Sequence, residues 1–177
     1  MNSVVTFGIT VRHMELVSSF FAEMFELRKN GTVKIFQEQN SLVYFGDKKI
    51  VTDVKLVNVE ELDNLDRFIE NTFEYLHYVQ PDFMMFNSNI YYLNKNMTKI
   101  AGVPNLIVEV WSENNTEYDI YFKKHLYSTG GYEHWYIFQD SNIVECWIGS
   151  KKINNQNLTD ILVTESGLKF DLRYLAL

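Results

Sequence analysis

The chain of 177 residues has one cysteine and two prolines. A single cysteine excludes a disulfide framework and a zinc site built on cysteines. Cys146 lies in the apolar run Ile-Val-Glu-Cys-Trp-Ile, which favours an inert core thiol over a nucleophile. No apolar run approaches the ~20 residues that span a bilayer, and the N-terminus lacks a secretory signal pattern. These absences predict a soluble cytoplasmic protein with no membrane partner.

Positive charge is also scarce. The chain has 16 lysines and arginines against 23 aspartates and glutamates, giving a net charge of −7. No global basic field therefore attracts nucleic acid, which argues against a non-specific coat protein but leaves room for an enzyme with a few local cations. No Ser-His-Asp order, phosphate-binding glycine loop or dinucleotide fingerprint is present, so serine hydrolases, NTPases and dehydrogenases are disfavoured.

Hydrophobic residues are abundant, at 46% of the chain, and aromatic residues make up 15%. This composition is typical of a globular protein, and the length predicts one domain over residues 1–177. Because hairpin-like strands come first and helices and strands then mix, the expected fold class is α/β or α+β. In that class, helices flank a mixed sheet.

Apolar residues recur at helical spacing in three segments, over residues 16–24, 58–76 and 114–131. The second and third segments open on the capping patterns Asn58-x-x-Glu61 and Asn114-x-x-Glu117. The third helix is expected to end at its paired glycines. Its predicted apolar, core-facing residues are Tyr118, Tyr121, Phe122, His125 and Leu126.

Strands are predicted where β-formers alternate with polar residues or form short apolar runs. These segments are Val4 to Thr10, Thr32 to Phe36, Ser41 to Phe45, Ile50 to Val57, Phe83 to Phe86, Leu106 to Trp111, Trp135 to Phe138, Ile143 to Ile148 and Ile161 to Val163.

One carboxylate interrupts a strand that otherwise reads as buried. Glu109 lies within Leu-Ile-Val-Glu-Val-Trp, and burying a lone charge there is costly unless it is paired or neutralised. Asp82 opens the apolar run Phe83 to Phe86 upstream. If the two strands pair, Asp82 and Glu109 could hold one hard cation such as Mg²⁺, which commonly takes one or two carboxylates and several waters.

Phosphodiester hydrolysis also needs a cation near the attacking water and the phosphate. The position two residues after Glu109, on the same strand face, is occupied by Trp111. The helix that follows offers Lys123 and Lys124 instead, at similar angles beside its apolar stripe. Helical periodicity alone does not choose between the two lysines.

An ordered set of short motifs spans residues 81–138 and resembles the Uma-two family of endonucleases, within the PD-(D/E)XK nuclease superfamily. The matching residues are Pro81-Asp82, Gly102-Val103-Pro104, Leu106-Ile107-Val108-Glu109-Val110, Ser112, then Asp119, Lys123 and Tyr127 one helical turn apart, Gly130, and Tyr132-Glu133-His134-Trp135. Gly167 to Leu172 also resembles the family's usual ending. Asn105 departs from the aspartate common in the family, and residues 1–80 match poorly.

The resemblance implies a restriction-endonuclease-like fold with its catalytic core at residues 81–148. It implies Asp82 and Glu109 as ligands of Mg²⁺ or Mn²⁺, and Lys123 as the catalytic lysine. Asp119 and Tyr127 are possible supporting residues. Glu15 and Glu23 on the first helix are candidates for a further acidic ligand. The implied function is an Mg²⁺-dependent endonuclease acting on DNA.

Two interpretations other than an active endonuclease are also considered. The first is a catalytically inactive, nuclease-like binding or accessory module of the same fold. The second is an unrelated acidic interaction domain in which Glu109 forms a structural salt bridge. For the enzyme, the net charge of −7 predicts weak DNA affinity on its own, so cleavage would depend on low salt, a homodimer or a protein partner.

Overall fold

The computed structural model describes residues 10–37, 41–44, 77–87, 91–92, 99–101, 104–113 and 115–177. The helix predicted over residues 58–76 and the strand over 50–57 lie outside these residues. The same holds for the first predicted strand, except for Thr10. The described residues form a mixed α+β structure, which confirms the predicted fold class.

Short helices and strands follow one another along the described residues. The helices are α1 (Val11–Glu23), α2 (Phe25–Lys29) and α3 (Glu117–Gly130), with a 3₁₀ turn at Arg173–Leu175. The strands are β1 (Lys34–Gln37), β2 (Ser41–Tyr44), β3 (His77–Val79), β4 (Phe83–Phe86), β5 (Tyr91–Tyr92), β6 (Lys99–Ala101), β7 (Leu106–Trp111), β8 (Glu133–Phe138), β9 (Ile143–Ile148), β10 (Lys151–Asn157), β11 (Leu162–Val163) and β12 (Lys169–Phe170).

A six-stranded sheet in the order β1-β4-β7-β8-β9-β10 forms the centre of this structure. Strand β7 lies in its middle, antiparallel to β4 and parallel to β8. The parallel pair requires a crossover, which α3 supplies. Strands β3-β2-β6-β5 form a second sheet, and β11 pairs with β12.

The two faces of the six-stranded sheet are covered by different helices. Alternate residues of a strand point to opposite faces, so Val108 and Val110 of β7 pack with Leu16 and Phe20 of α1. On the other face, the aromatic side chains of β7 and β8 pack with Leu126 and Tyr127 of α3. The predicted site residues lie where the two helices approach β7.

The prediction of the buried face of α3 was right for Leu126 and Phe122, which pack against the sheet, and wrong for the other residues. Tyr118 is 74% exposed and Tyr121 is 71% exposed, and His125 is exposed as well, whereas Tyr127 is fully buried. The stripe that faces the sheet includes Lys123, because the buried carboxylate of Glu109 lies beneath it and needs hydrogen-bond donors. The predicted helix end is confirmed, since Gly131 adopts the left-handed conformation, with φ of 66°, at the C-cap.

Strand β10 was not predicted. Its sequence Lys-Lys-Ile-Asn-Asn-Gln-Asn is polar, and asparagine is rare in strands. It pairs with β9 at the edge of the six-stranded sheet formed by the described residues and has a register shift between Lys152 and Asn154. A polar, irregular edge strand is a common protection against edge-to-edge association. Within the described residues, no helix has the length and apolar character needed to cross a membrane.

Candidate active site

The two predicted carboxylates are both buried and lie on neighbouring strands. Glu109 is 1% exposed in the middle of β7, and Asp82 is 6% exposed directly before β4. Strands β4 and β7 pair with Phe83 opposite Val108. Continuing that antiparallel register by one residue brings Asp82 beside Glu109.

Two side chains of α3 donate hydrogen bonds to the Glu109 carboxylate. Lys123 Nζ donates to Glu109 Oε2 at 2.7 Å, and Tyr127 Oη donates to Glu109 Oε1 at 2.6 Å. Residues four apart on a helix project from the same side, so these two donors approach one carboxylate together. The ammonium also donates to the backbone carbonyl of Gln80 at 3.2 Å. Lys123 therefore links the strand β7 carboxylate to the segment that leads to Asp82.

Asp82 is held by a backbone amide and by the first helix. Its Oδ2 accepts a hydrogen bond from Val110 N at 2.6 Å, and its Oδ1 lies 3.1 Å from His13 Nε2. His13 is in the first turn of α1, where its own backbone N–H donates to the Thr10 side chain at the N-cap. This contact brings α1 to the site.

Helix capping fixes where α3 begins. The side chain of Thr116 accepts a hydrogen bond from Asp119 N at 3.1 Å, and Asp119 Oδ2 accepts one from Thr116 Oγ1 at 2.5 Å. Both are local contacts of the first turn. Asp119 is therefore a capping residue of α3. Of the two residues considered as supporting ones, Tyr127 is the one that contacts Glu109.

The two adjacent lysines of α3 reach different carboxylates. Lys124 Nζ lies 3.3 Å from Glu145 Oε2 and 4.1 Å from the centre of the Trp147 ring. Of the two lysines, Lys123 is the one that contacts Glu109, so the geometry separates two residues that periodicity left equivalent.

The pKa values in the site follow from burial and from this pairing. Burial raises the pKa of Glu109 to about 7, although the Lys123 ammonium acts in the opposite direction. Burial acts to lower the pKa of Lys123, but the carboxylates of Glu109, Asp82 and Asp119 together outweigh it and leave that pKa raised. Burial, and then Glu109, raise the pKa of Tyr127 well above its usual value. The lysine is therefore charged at neutral pH, and the carboxylate is close to its titration point.

An open cleft borders the ion pair. It has a volume of about 440 Å³ and is lined by Val79, Gln80, Trp111, Asn115, Asp119, Phe122 and Lys123. We call it the α3 cleft. It gives a ligand access to the lysine that contacts Glu109.

The donor set suits a hard cation in part. Asp82 and Glu109 offer oxygen ligands of the kind that Mg²⁺ and Mn²⁺ prefer. Within the described residues, no group of three or more histidine, cysteine, aspartate or glutamate side chains is arranged around a metal position. All four carboxylate oxygens have protein partners, so a cation would use their remaining lone pairs or replace His13 or Lys123. Two carboxylates plus waters remain a sufficient protein contribution for Mg²⁺.

The two glutamates considered as further ligands lie elsewhere. Glu15 is exposed, and Glu23 Oε2 accepts a hydrogen bond from Asp171 N at 3.1 Å. The group from α1 that does reach the site is His13, one helical turn before Val17 of the apolar stripe. Its position on that stripe was the available signal, because a histidine there points toward the sheet.

The site thus belongs to an α+β protein whose buried carboxylates lie on adjacent strands beneath a helix lysine. No protein-family model matches the chain, and the comparison with curated proteins finds no match. Among solved structures, the fold is similar to that of a putative nuclease belonging to DUF820, the Uma2 family, from Anabaena variabilis. The TM-score is 0.57 with 13% sequence identity, over 96% of this chain and 84% of that chain. At that identity the match establishes the fold, and it agrees with the resemblance seen in the sequence.

Proposed function

We propose that the protein is a metal-dependent endonuclease that hydrolyses phosphodiester bonds in DNA. The observation that carries the proposal is the pairing of a fully buried strand glutamate with a helix lysine at 2.7 Å, beside a second buried carboxylate. Charges buried in this way are expensive for stability, and they concentrate at functional sites. The fold shared with a putative nuclease belonging to DUF820 supports the same conclusion.

Each group in the site has a role in this reaction. Asp82 and Glu109 would hold Mg²⁺ or Mn²⁺. The bound cation would lower the pKa of a water and offset charge on the phosphate. Lys123, at the wall of the α3 cleft, would orient the nucleophile or stabilise negative charge developing on the phosphate. Tyr127 positions Glu109 through its hydrogen bond, and His13 positions Asp82.

A second candidate is the inactive nuclease-like module. One observation favours it, since the oxygens of Asp82 and Glu109 are already bonded to protein donors. In that case Asp82, Glu109 and their protein donors form a structural network and bind no metal. The two candidate functions differ in whether Asp82 and Glu109 exchange a protein hydrogen-bond donor for a cation when a cation is added.

The test is nicking of supercoiled plasmid at low salt with Mg²⁺ or Mn²⁺, with EDTA as the metal-free control. The variants are Asp82→Asn, Glu109→Gln and Lys123→Met, each checked for folding by circular dichroism. Lys124→Met is the matched control, because it removes the adjacent lysine that pairs with Glu145 instead. We expect nicking that requires metal, falls by at least about a hundredfold in the three site variants, and persists in the control.

Calorimetry with Mn²⁺ separates the remaining outcomes. Nicking that survives all three substitutions would mean that another site or a contaminant cuts the plasmid. No nicking, combined with Mn²⁺ binding that is lost in Asp82→Asn and Glu109→Gln, would point to a different substrate or a missing partner. Neither nicking nor Mn²⁺ binding would favour the inactive module.

A further inference from the structure

We infer that the α3 cleft receives an unpaired nucleobase, so that the substrate is a single-stranded or locally unpaired nucleic acid. This inference rests on the proposed function, because it names the substrate class of the same site. It starts from two features that the proposed chemistry leaves unexplained, which are the lining of the cleft and the exposed aromatic residues of α3.

The lining of the α3 cleft matches the chemistry of a nucleobase. Phe122, Trp111 and Val79 form apolar walls, while Asn115, Asp119 and Lys123 provide polar groups. A base has two apolar faces and a polar edge, which is the combination that such a lining binds. The volume of about 440 Å³ lies within the usual range of small-ligand sites.

Aromatic side chains continue from the cleft along the outer surface of α3. Tyr118 stacks on Phe122 with ring centres 6.3 Å apart and planes 13° from parallel. Tyr121 stacks on His125 at 6.2 Å and 8°. The two tyrosines are more than two-thirds exposed, although helix stability does not require large exposed rings. Because Phe122 lines the cleft, the first pair extends its aromatic wall to the surface.

Electrostatics favours base contacts over backbone contacts. The two lysines of this helix are paired with Glu109 and Glu145, and the chain as a whole has a net charge of −7. Neutralisation of phosphates dominates the binding of duplex DNA, and both lysines of α3 are already paired with carboxylates. Stacking on aromatic rings needs no positive charge, but it requires bases that are not enclosed in a duplex. The observations therefore favour an unpaired strand.

The test measures binding without metal, by fluorescence anisotropy in EDTA at low salt. The probes are a short oligo(dT) strand, an abasic strand of the same length and charge, and a duplex of the same length. We expect oligo(dT) to bind about tenfold more tightly than the abasic strand, since the contribution of one stacked base is of this order. The duplex should bind no more tightly than the abasic strand.

Three variants test which residues cause the preference for oligo(dT) over the abasic strand. Phe122→Ala removes a wall of the cleft, and Tyr118→Ala removes an exposed ring with little effect on the core. Both should lose most of the preference for oligo(dT) over the abasic strand. Tyr174→Ala is the matched control, because that tyrosine is 65% exposed in the C-terminal 3₁₀ turn and should leave the preference unchanged.

Several results would overturn the inference. These are equal binding of oligo(dT) and the abasic strand, tighter binding of the duplex, no detectable binding, or a preference unaffected by Phe122→Ala and Tyr118→Ala. A monomer–dimer shift in Tyr118→Ala but not in Tyr174→Ala would assign the aromatic surface to a second copy of the chain instead. Failure of the proposed function would appear separately, as absent plasmid nicking with the oligo(dT) preference intact.

Discussion

The two faces of the six-stranded sheet are buried by different interactions. On the α1 face, the side chains of β4, β7 and β8 are apolar, among them Phe83, Val108 and Trp135. On the α3 face, aromatic and aliphatic residues surround two buried ionisable groups, Glu109 and His134. One sheet therefore has a face stabilised by apolar packing and a face that depends on hydrogen bonds and charge.

The two faces therefore differ in how their contribution to stability depends on pH. Apolar packing on the α1 face contributes free energy without regard to pH or cations. On the α3 face, Lys123 and Tyr127 satisfy Glu109, and His134 is bonded on both ring nitrogens, to Tyr136 Oη at 2.5 Å and to the Gly149 carbonyl at 2.9 Å. A carbonyl only accepts, so Nε2 carries the proton and Nδ1 accepts from the tyrosine. Such a network can exchange a proton, whereas apolar side chains cannot.

The largest expected effect tests the apolar face. Phe83 is fully buried, with its ring 5.3 Å from that of Phe20 and 6.3 Å from that of Phe170. Phe83→Ala should lower the free energy of unfolding by about 4 kcal/mol, through lost burial and a residual cavity. Urea denaturation measures this change, and it should be the same at pH 5.5 and pH 7.

The matched control is Phe25→Ala, whose ring is 54% exposed. That substitution should change the free energy of unfolding by less than about 0.5 kcal/mol. A comparable loss in both variants would show that the α1 face is not the main source of stability.

A smaller effect is expected when one partner of the buried ion pair on the α3 face is removed. Lys123→Met leaves the Glu109 carboxylate buried with Tyr127 as its remaining side-chain donor. We expect a loss of about 3 kcal/mol at pH 8, because Glu109 must then either stay charged without its partner or take up a proton, and both cost free energy. The double variant Lys123→Met with Glu109→Gln should recover most of it, since no charge is then buried.

Lys124→Met provides the comparison within the same helix. Its Glu145 partner is one-quarter exposed, so this substitution should cost about 1 kcal/mol or less. If the double variant were no more stable than Lys123→Met, the loss would come from the packing of the lysine stem, and the α3 face would resemble the α1 face.

Much of this arrangement could be predicted from the sequence, because local patterns determined it. The apolar stripe predicted α1, and the apolar runs predicted β4 and β7, including the carboxylate of Glu109 within its strand. The resemblance to a nuclease family selected Lys123 over Lys124, and the structure brings Lys123 to Glu109. The roles of these residues in catalysis stay predictions.

The errors arise where distant contacts override local patterns. Counting apolar residues assigned Tyr118 and Tyr121 to the core. Instead, the hydrogen bonds that Lys123 and Tyr127 donate to Glu109 place the lysine-bearing side of α3 against the sheet. His13 reaches Asp82 from α1, and its place on the α1 stripe directs it toward the sheet without specifying Asp82 as its partner. The polar strand β10 forms because β9 offers it a free edge, although its own residues disfavour a strand.

The smallest expected effect is a pair of opposite pH dependences on the α3 face. Burial raises the pKa of Glu109 to about 7, so between pH 4.5 and 7 the folded state keeps a proton that the unfolded state has lost. Glu109 therefore makes stability fall as pH rises through this window. Burial lowers the pKa of His134 to about 4, so the folded state resists a proton that the unfolded state takes up below pH 6.5. His134 therefore makes stability fall as pH falls from 6.5 toward 4.

Two variants separate these contributions in metal-free buffer with EDTA. The stability of the natural chain relative to Glu109→Gln should fall by about 2 kcal/mol between pH 5.5 and 7. Its stability relative to His134→Gln should rise by about 2 kcal/mol between pH 4.5 and 6.5. Phe83→Ala should follow the natural chain at a constant offset, since it changes an apolar side chain and removes no titratable group. If Glu109→Gln also keeps a constant offset, Glu109 is ionised throughout this range, and the ion pair with Lys123 outweighs its burial.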